Sequence, residues 1–143
     1  MPKGIMILFL FLSQVVLRAQ NTFNKDSLLK ELRTANEDTL KVTTLLKIAK
    51  LYETNNQDSA LYYLAKTKQL AESLKYTRGI FNYYEQVSIV SWTKGDYSKS
   101  MDENNQALIL ARTLKDSSLV IIALNHIGIV YGLQQRFKEQ LDY

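Results

Sequence analysis

Apolar positions along this chain recur at helical spacing and in blocks. In Leu124-Asn125-His126-Ile127-Gly128-Ile129-Val130-Tyr131 a bulky apolar residue precedes Ile-Gly by two positions, and a tyrosine follows after two more. The same skeleton reads Leu45, Ile48-Ala49, Tyr52 earlier in the chain, and Tyr84, Val87-Ser88, Ser91 between the two. Such spacing places the bulky residues and the small one on one face of a helix, and the small one admits a second helix at close range. Gly128 is read as a contact of this kind.

The same periodicity predicts elements over the whole length. A short helix is expected over residues 24–35, capped by Asp26 or Ser27, with Leu28, Leu29 and Leu32 on its apolar face. It is too short to stand alone and is expected to pack as a cap on the next helix pair. A longer helix starts at Glu37-Asp38-Thr39 and runs to about Thr54, with Leu40, Leu45, Ile48, Ala49, Leu51 and Tyr52 near one face. Asn55 to Asp58 makes a turn, and a second helix covers about 59–74 with Ala60, Leu61, Leu64, Thr67, Leu70, Ala71 and Leu74 inward. The pair recurs: turn at 76–79, helix over 80–93, turn at 94–97, helix over 98–114. A third first helix spans about 119–133, a turn is expected at Gln134 to Phe137, and a further helix begins before Tyr143.

Shifting the sequence by forty residues tests the repeat. Leu70, Ala71, Leu74 and Lys75 fall on Leu110, Ala111, Leu114 and Lys115, and Ile89-Val90 on Ile129-Val130. The register holds without a gap from Ala60 onward. Fixed-period self-similarity of this length predicts one supersecondary unit stacked on itself, in an all-α chain. The domain plan is a leader over 1–19, a linker and capping helix over 20–37, and repeats over about 38–76, 77–116 and an incomplete 117–143.

Composition changes this picture in three places. One proline and five glycines in 143 residues leave few helix breakers, in keeping with all-α structure. The formal charge of +4 shrinks once Lys3 and Arg18 are set aside, because 16 basic residues then face 14 acidic ones with no basic stripe, so a nucleic-acid partner is not expected. The absence of cysteine removes disulfides, thiolate metal sites and thiol catalysis together.

Residues 1–19 read as a secretory signal. Lys3 provides the positive start, Ile5 to Leu12 the apolar run, and Leu17-Arg18-Ala19 before Gln20 a cleavage site with a small residue at the cut. The run is shorter than the ~20 apolar residues a membrane span takes. Export to a periplasm or beyond is therefore expected, with no stable membrane span after cleavage.

The blocks Leu45-x-x-Ile48-Ala49-x-x-Tyr52 and Leu124-x-x-Ile127-Gly128-x-x-Tyr131, the turn Gly95-Asp96-Tyr97 and Ala107-Leu108 together resemble the tetratricopeptide repeat family. The resemblance covers about 38–143. It implies an α-solenoid of antiparallel helix pairs wound as a right-handed superhelix. The period is about 40 rather than the usual 34, so each helix is longer by roughly a turn. The family's terminal proline is missing, Ser91 stands where tyrosine is usual, and Ser100 and Asn104 replace the small and aromatic residues of the second helix.

By the same resemblance the first helix of each pair lines the concave side. The positions carried over are Leu46, Lys50 and Glu53, then Glu85, Ile89 and Trp92, then Asn125, Ile129 and Gly132. Such a groove implies a protein or peptide ligand, with Trp92 as anchor; the other reading of Trp92 is that it turns inward to replace the bulk lost at Ser91. No cofactor, metal or catalytic set is expected. His126 is the single histidine and reads as a groove-edge or packed side chain, and Asp102-Glu103 read as a solvated face because neighbours on a helix diverge by about 100°. The function expected is a non-enzymatic, exported binding scaffold. The alternative implied by the resemblance is the sensory N-terminal region of a signalling protein whose histidine kinase or DNA-binding output lies beyond Tyr143. The brevity of the last helix suggests an incomplete chain, or self-association covering the open end.

Overall fold

The computed structural model describes residues 25–141. The expected signal segment lies outside the described residues. Those described form helices and short turns, without a strand: α1 (25–34), α2 (Thr39–Tyr52), α3 (Gln57–Ser73), α4 (Thr77–Thr93), α5 (Tyr97–Thr113) and α6 (Ser117–Leu141).

Local chemistry sets the boundaries. Asp38 Oδ1 accepts the N–H groups of Leu40 (2.9 Å) and Lys41 (3.0 Å), so α2 starts there. Asn56 caps α3 through the Ser59 N–H at 3.0 Å, and Asp96 caps α5 through Lys99 N–H at 3.1 Å. Asp116 accepts from Ser118 (3.0 Å) and Leu119 (3.2 Å) at the start of α6. Each side-chain oxygen satisfies an N–H that the first helical turn leaves unpaired.

The ends of α3, α4 and α5 are three copies of one device. Tyr76 N–H bonds Ala71 C=O (2.8 Å) and Lys75 N–H bonds Glu72 C=O (3.0 Å). Asp96 to Ser91 with Gly95 to Trp92, and Asp116 to Ala111 with Lys115 to Arg112, repeat the pattern. The residue at the corner takes a left-handed conformation, with φ of 53° at Lys75, 82° at Gly95 and 54° at Lys115. The forty-residue register therefore extends to backbone geometry, even where lysine replaces the glycine that the corner favours.

The register fails at the end of α6, and with it the expected turn at Gln134 to Phe137. Gln135 stands where Gly95 makes the corner, and Arg136 stands where Asp96 makes the cap. No corner forms there, and α6 continues for 25 residues.

Three further expectations are corrected. The turn over 76–79 is shorter than expected, because α4 starts at Thr77 and Gly79 is buried within it. Leu40 points to solvent at 71% exposure, two residues before Val42, the first buried position of α2. Gly128 makes no close helix contact: a β-carbon there would meet nothing within 4 Å. The tight contact is at Gly79, where a β-carbon would lie 2.6 Å from Tyr76 Cδ1, 3.0 Å from Val42 Cγ1 and 3.1 Å from Ala71 Cβ.

Consecutive helices pack on each other from α2 to α6, and the first helices α2, α4 and α6 also lie side by side. The second helices do not: no Cα of α3 comes within 8 Å of one in α5. Two apolar clusters hold the stack. Val42, Leu45, Leu64, Ala71 and Val87 centre the first, and Phe81, Ala107, Ala111, Leu119 and Ala123 the second.

Candidate functional site

The row formed by α2, α4 and α6 carries the side chains that sequence assigned to a groove, and the structure divides them. Leu46 is corrected: at 6% exposure it belongs to the first apolar cluster and is lost to any ligand. Lys50 is exposed, and Glu53 and Glu85 are half-buried. These three come together across α2 and α4. Burial pushes the Glu53 carboxyl above the usual carboxylate range, the Lys50 ammonium pulls it back, and the Glu85 carboxylate pushes it further up.

Ile89, Trp92 and Ile129 form a second group. With Ser88, His126 and Val130 they line a narrow cleft between α4 and α6. The Trp92 ring is half-buried in it. The indole Nε1 and the His126 Nδ1 are both buried there without a hydrogen-bond partner among the described residues. Buried polar atoms are nearly always paired, and this cleft, of about 10 Å³, has the size of one small hydrogen-bonding molecule such as a water. Asn125 and Gly132 are exposed on the same helix as Ile129, at the edge of the row.

The bulk missing at Ser91 is not replaced by Trp92. Ser91 Oγ donates to Glu103 Oε2 at 2.7 Å, so a carboxylate from α5 occupies that space. One turn away the Ser88 and Ser100 hydroxyls bond at 3.2 Å, and Asn104 beside them is fully buried. The small residues that depart from the repeat pattern are thus one polar seam between α4 and α5. Glu103, expected on a solvated face, is corrected to a buried position at 9% exposure, while Asp102 stays exposed.

Burial pushes the Glu103 carboxyl up; the Ser91 hydrogen bond and Lys99 pull it down, and Asp96 and Asp102 push it up again. A carboxyl raised in the folded state costs stability when ionised. Stability falls as pH rises from the ordinary carboxylate value of about 4.3 through the raised one. Glu103→Gln should accordingly raise the melting temperature at pH 7.5 by roughly 3–5 °C, equivalent to about 1 kcal/mol, and the gain should vanish near pH 4. Thermal melts at the two pH values measure it.

A wider cleft lies elsewhere and had no signal in the sequence. About 590 Å³ opens between α1, α2 and α3, floored by Leu29, Leu32, Leu45 and Leu70. It lies beside α1, which among the described residues spans 25–34. The ion pair of Lys41 with Glu37 at 2.6 Å neutralises one side of its mouth.

No protein-family model matches the sequence, and no curated protein or solved structure is detectably similar to it.

Proposed function

We propose that this chain is a non-enzymatic, exported scaffold, an α-solenoid of the tetratricopeptide kind, which binds a protein segment along the row of α2, α4 and α6. The observation that carries the reading is the Trp92 cleft. The Trp92 ring, half-buried at a cleft of about 10 Å³, offers its accessible edge to an apolar side chain of a peptide lying across the row, and its N–H has no partner among the described residues. The Glu53 and Glu85 carboxylates on the neighbouring stretch of the row favour a basic residue further along the same peptide. The fewer approaches between α3 and α5 than between the first helices support a stack that curves around this row. Export by way of the segment ending at Ala19 belongs to the same proposal.

Selection from a displayed library of random dodecamer peptides tests it. The full chain should enrich a family of sequences pairing an apolar with a basic residue. Trp92→Phe, which keeps the packing and removes the N–H, should bind that family about tenfold more weakly, the worth of one hydrogen bond of about 1.4 kcal/mol, with the melting temperature nearly unchanged. Unchanged binding by Trp92→Phe and Trp92→Ala, or failure to enrich any family, would remove the cleft from the function.

A further inference from the structure

The forty-residue register places Ile121, Leu124, Gly128 and Tyr131 of α6 at the positions of Phe81, Tyr84, Ser88 and Ser91 of α4. On α4 this face is covered by α5: Phe81 is 1% exposed, Ser88 1% and Ser91 4%. On α6 the equivalent face is open, with Ile121 58% exposed, Leu124 48% and Tyr131 62%, and Gly128 exposed between them. A face built to receive a helix continues the interfaces that hold the rest of the stack, and lies uncovered among the described residues.

We propose that a second copy of the chain covers it, through antiparallel pairing of the two α6 helices about a two-fold axis at Gly128. Three observations select this occupant. First, the face is its own complement. About an axis at Gly128, Leu124 of one copy falls opposite Gly132 of the other and Asn125 opposite Tyr131, so a bulky side chain meets a gap and an amide meets a phenol. A β-carbon at either glycine would meet nothing within 4 Å in the single chain, which leaves room for a helix to approach.

Second, between Asp116 and Arg136 the helix carries no Asp, Glu, Lys or Arg, so two copies meet without like-charge repulsion. Third, the charges at the ends favour opposite directions. Antiparallel pairing opposes the helix dipoles, whereas parallel pairing would align them and set Arg136 against Arg136; Asp116 keeps its pair with Arg78 of the same chain at 3.2 Å. The axis lies at the edge of the peptide row, so Asn125 and Gly132 border both surfaces and the two rows would be joined across the dimer.

The stretch Ser117–Arg136 has a mean hydropathy of 1.4 with 17% of it buried, which a bilayer surface could also use. The experiment separates the two. The chain has no cysteine, so Gly128→Cys in the full chain introduces a single thiol on the axis. A disulfide needs Cα atoms about 4.4–6.8 Å apart, a distance that only close pairing at this position provides. Mild oxidation at micromolar protein should link Gly128→Cys into dimers at least tenfold faster than the exposed control Ser98→Cys. Sedimentation of the unmodified chain should show a concentration-dependent dimer, and Leu124→Glu with Tyr131→Glu should give a monomer with an unchanged helical circular dichroism spectrum. Equal cross-linking rates, a monomer at every concentration, or a monomer that co-sediments with phosphatidylcholine vesicles would each overturn the proposal.

Discussion

Replacing Gly79 by leucine should lower the stability of the fold by about 2–3 kcal/mol in chemical denaturation, and replacing Tyr76 by aspartate in the same chain should recover most of it. At Gly79 even one added carbon would lie 2.6 Å from the Tyr76 ring, with Val42 and Ala71 closing the other sides. A ring carbon near the backbone has little freedom to retreat, so the strain falls on the packing of α4 against α2 and α3. One repeat later the pair is exchanged: Asp116 stands at the position of Tyr76, and Leu119 at that of Gly79. Leu119 is 2% exposed and packs in the second cluster. Tyrosine over glycine and leucine over the gap left by aspartate fill equivalent space in two ways. The double variant Tyr76→Asp, Gly79→Leu imports the second solution into the first repeat. A neutral Gly79→Leu, or losses that simply add in the double variant, would mean that the two repeats do not pack alike.

Asn104→Leu should act in the opposite direction and raise stability by about 1–3 kcal/mol, seen as a higher denaturation midpoint with an unchanged slope. Asn104 is fully buried, and its Nδ2 and Oδ1 are both without a partner among the described residues. A buried amide lacking hydrogen bonds carries its desolvation cost in full, whereas an apolar residue of similar branched shape does not. The register supplies the replacement, because Leu64 occupies the equivalent position of α3 at 1% exposure. The Ser88–Ser100 and Ser91–Glu103 bonds remain, so the seam keeps its other partners. A loss of stability of comparable size would show that the amide is hydrogen-bonded in solution.

Helix order and register through α5 were legible in the sequence because a forty-residue period repeats the same caps and corners; the left-handed conformation of Lys75 and Lys115 follows the same period. Where expectation failed, the failures share a cause: a pattern was carried to a position whose deciding residues had changed. At the expected turn after residue 133, Gln135 and Arg136 stand at the positions of Gly95 and Asp96, and the helix runs through them. Gly128 matched the small-residue slot, but the helix that would fill against it is not part of the described fold. Glu103 looked solvated because adjacent carboxyls diverge on a helix. The serine at position 91, noted only as a departure, is what draws it inward.

Of the groove positions, Lys50, Glu53, Glu85, Ile89, Trp92, Asn125 and Ile129 stay at or near the surface of one row, and Leu46 does not. Spacing along a helix places a residue on a face to within one position, and Leu46, next to Leu45, turns with it into the core. The part His126 plays in the Trp92 cleft was not readable, because it depends on α4 and α6 lying side by side across forty residues of sequence. The equivalence of Gln86 and His126, both with a buried unpaired atom, was a signal that could have pointed there.

The central claim is that successive first helices adjoin and hold Trp92 between them. The chain contains one tryptophan and one histidine, so a nuclear Overhauser spectrum reads that adjacency without ambiguity. Cross-peaks from the Trp92 indole to the His126 ring and to the Ile129 methyl groups are predicted, across a separation of more than thirty residues. An indole whose cross-peaks run only to α5, with none to His126 or Ile129, would contradict the account.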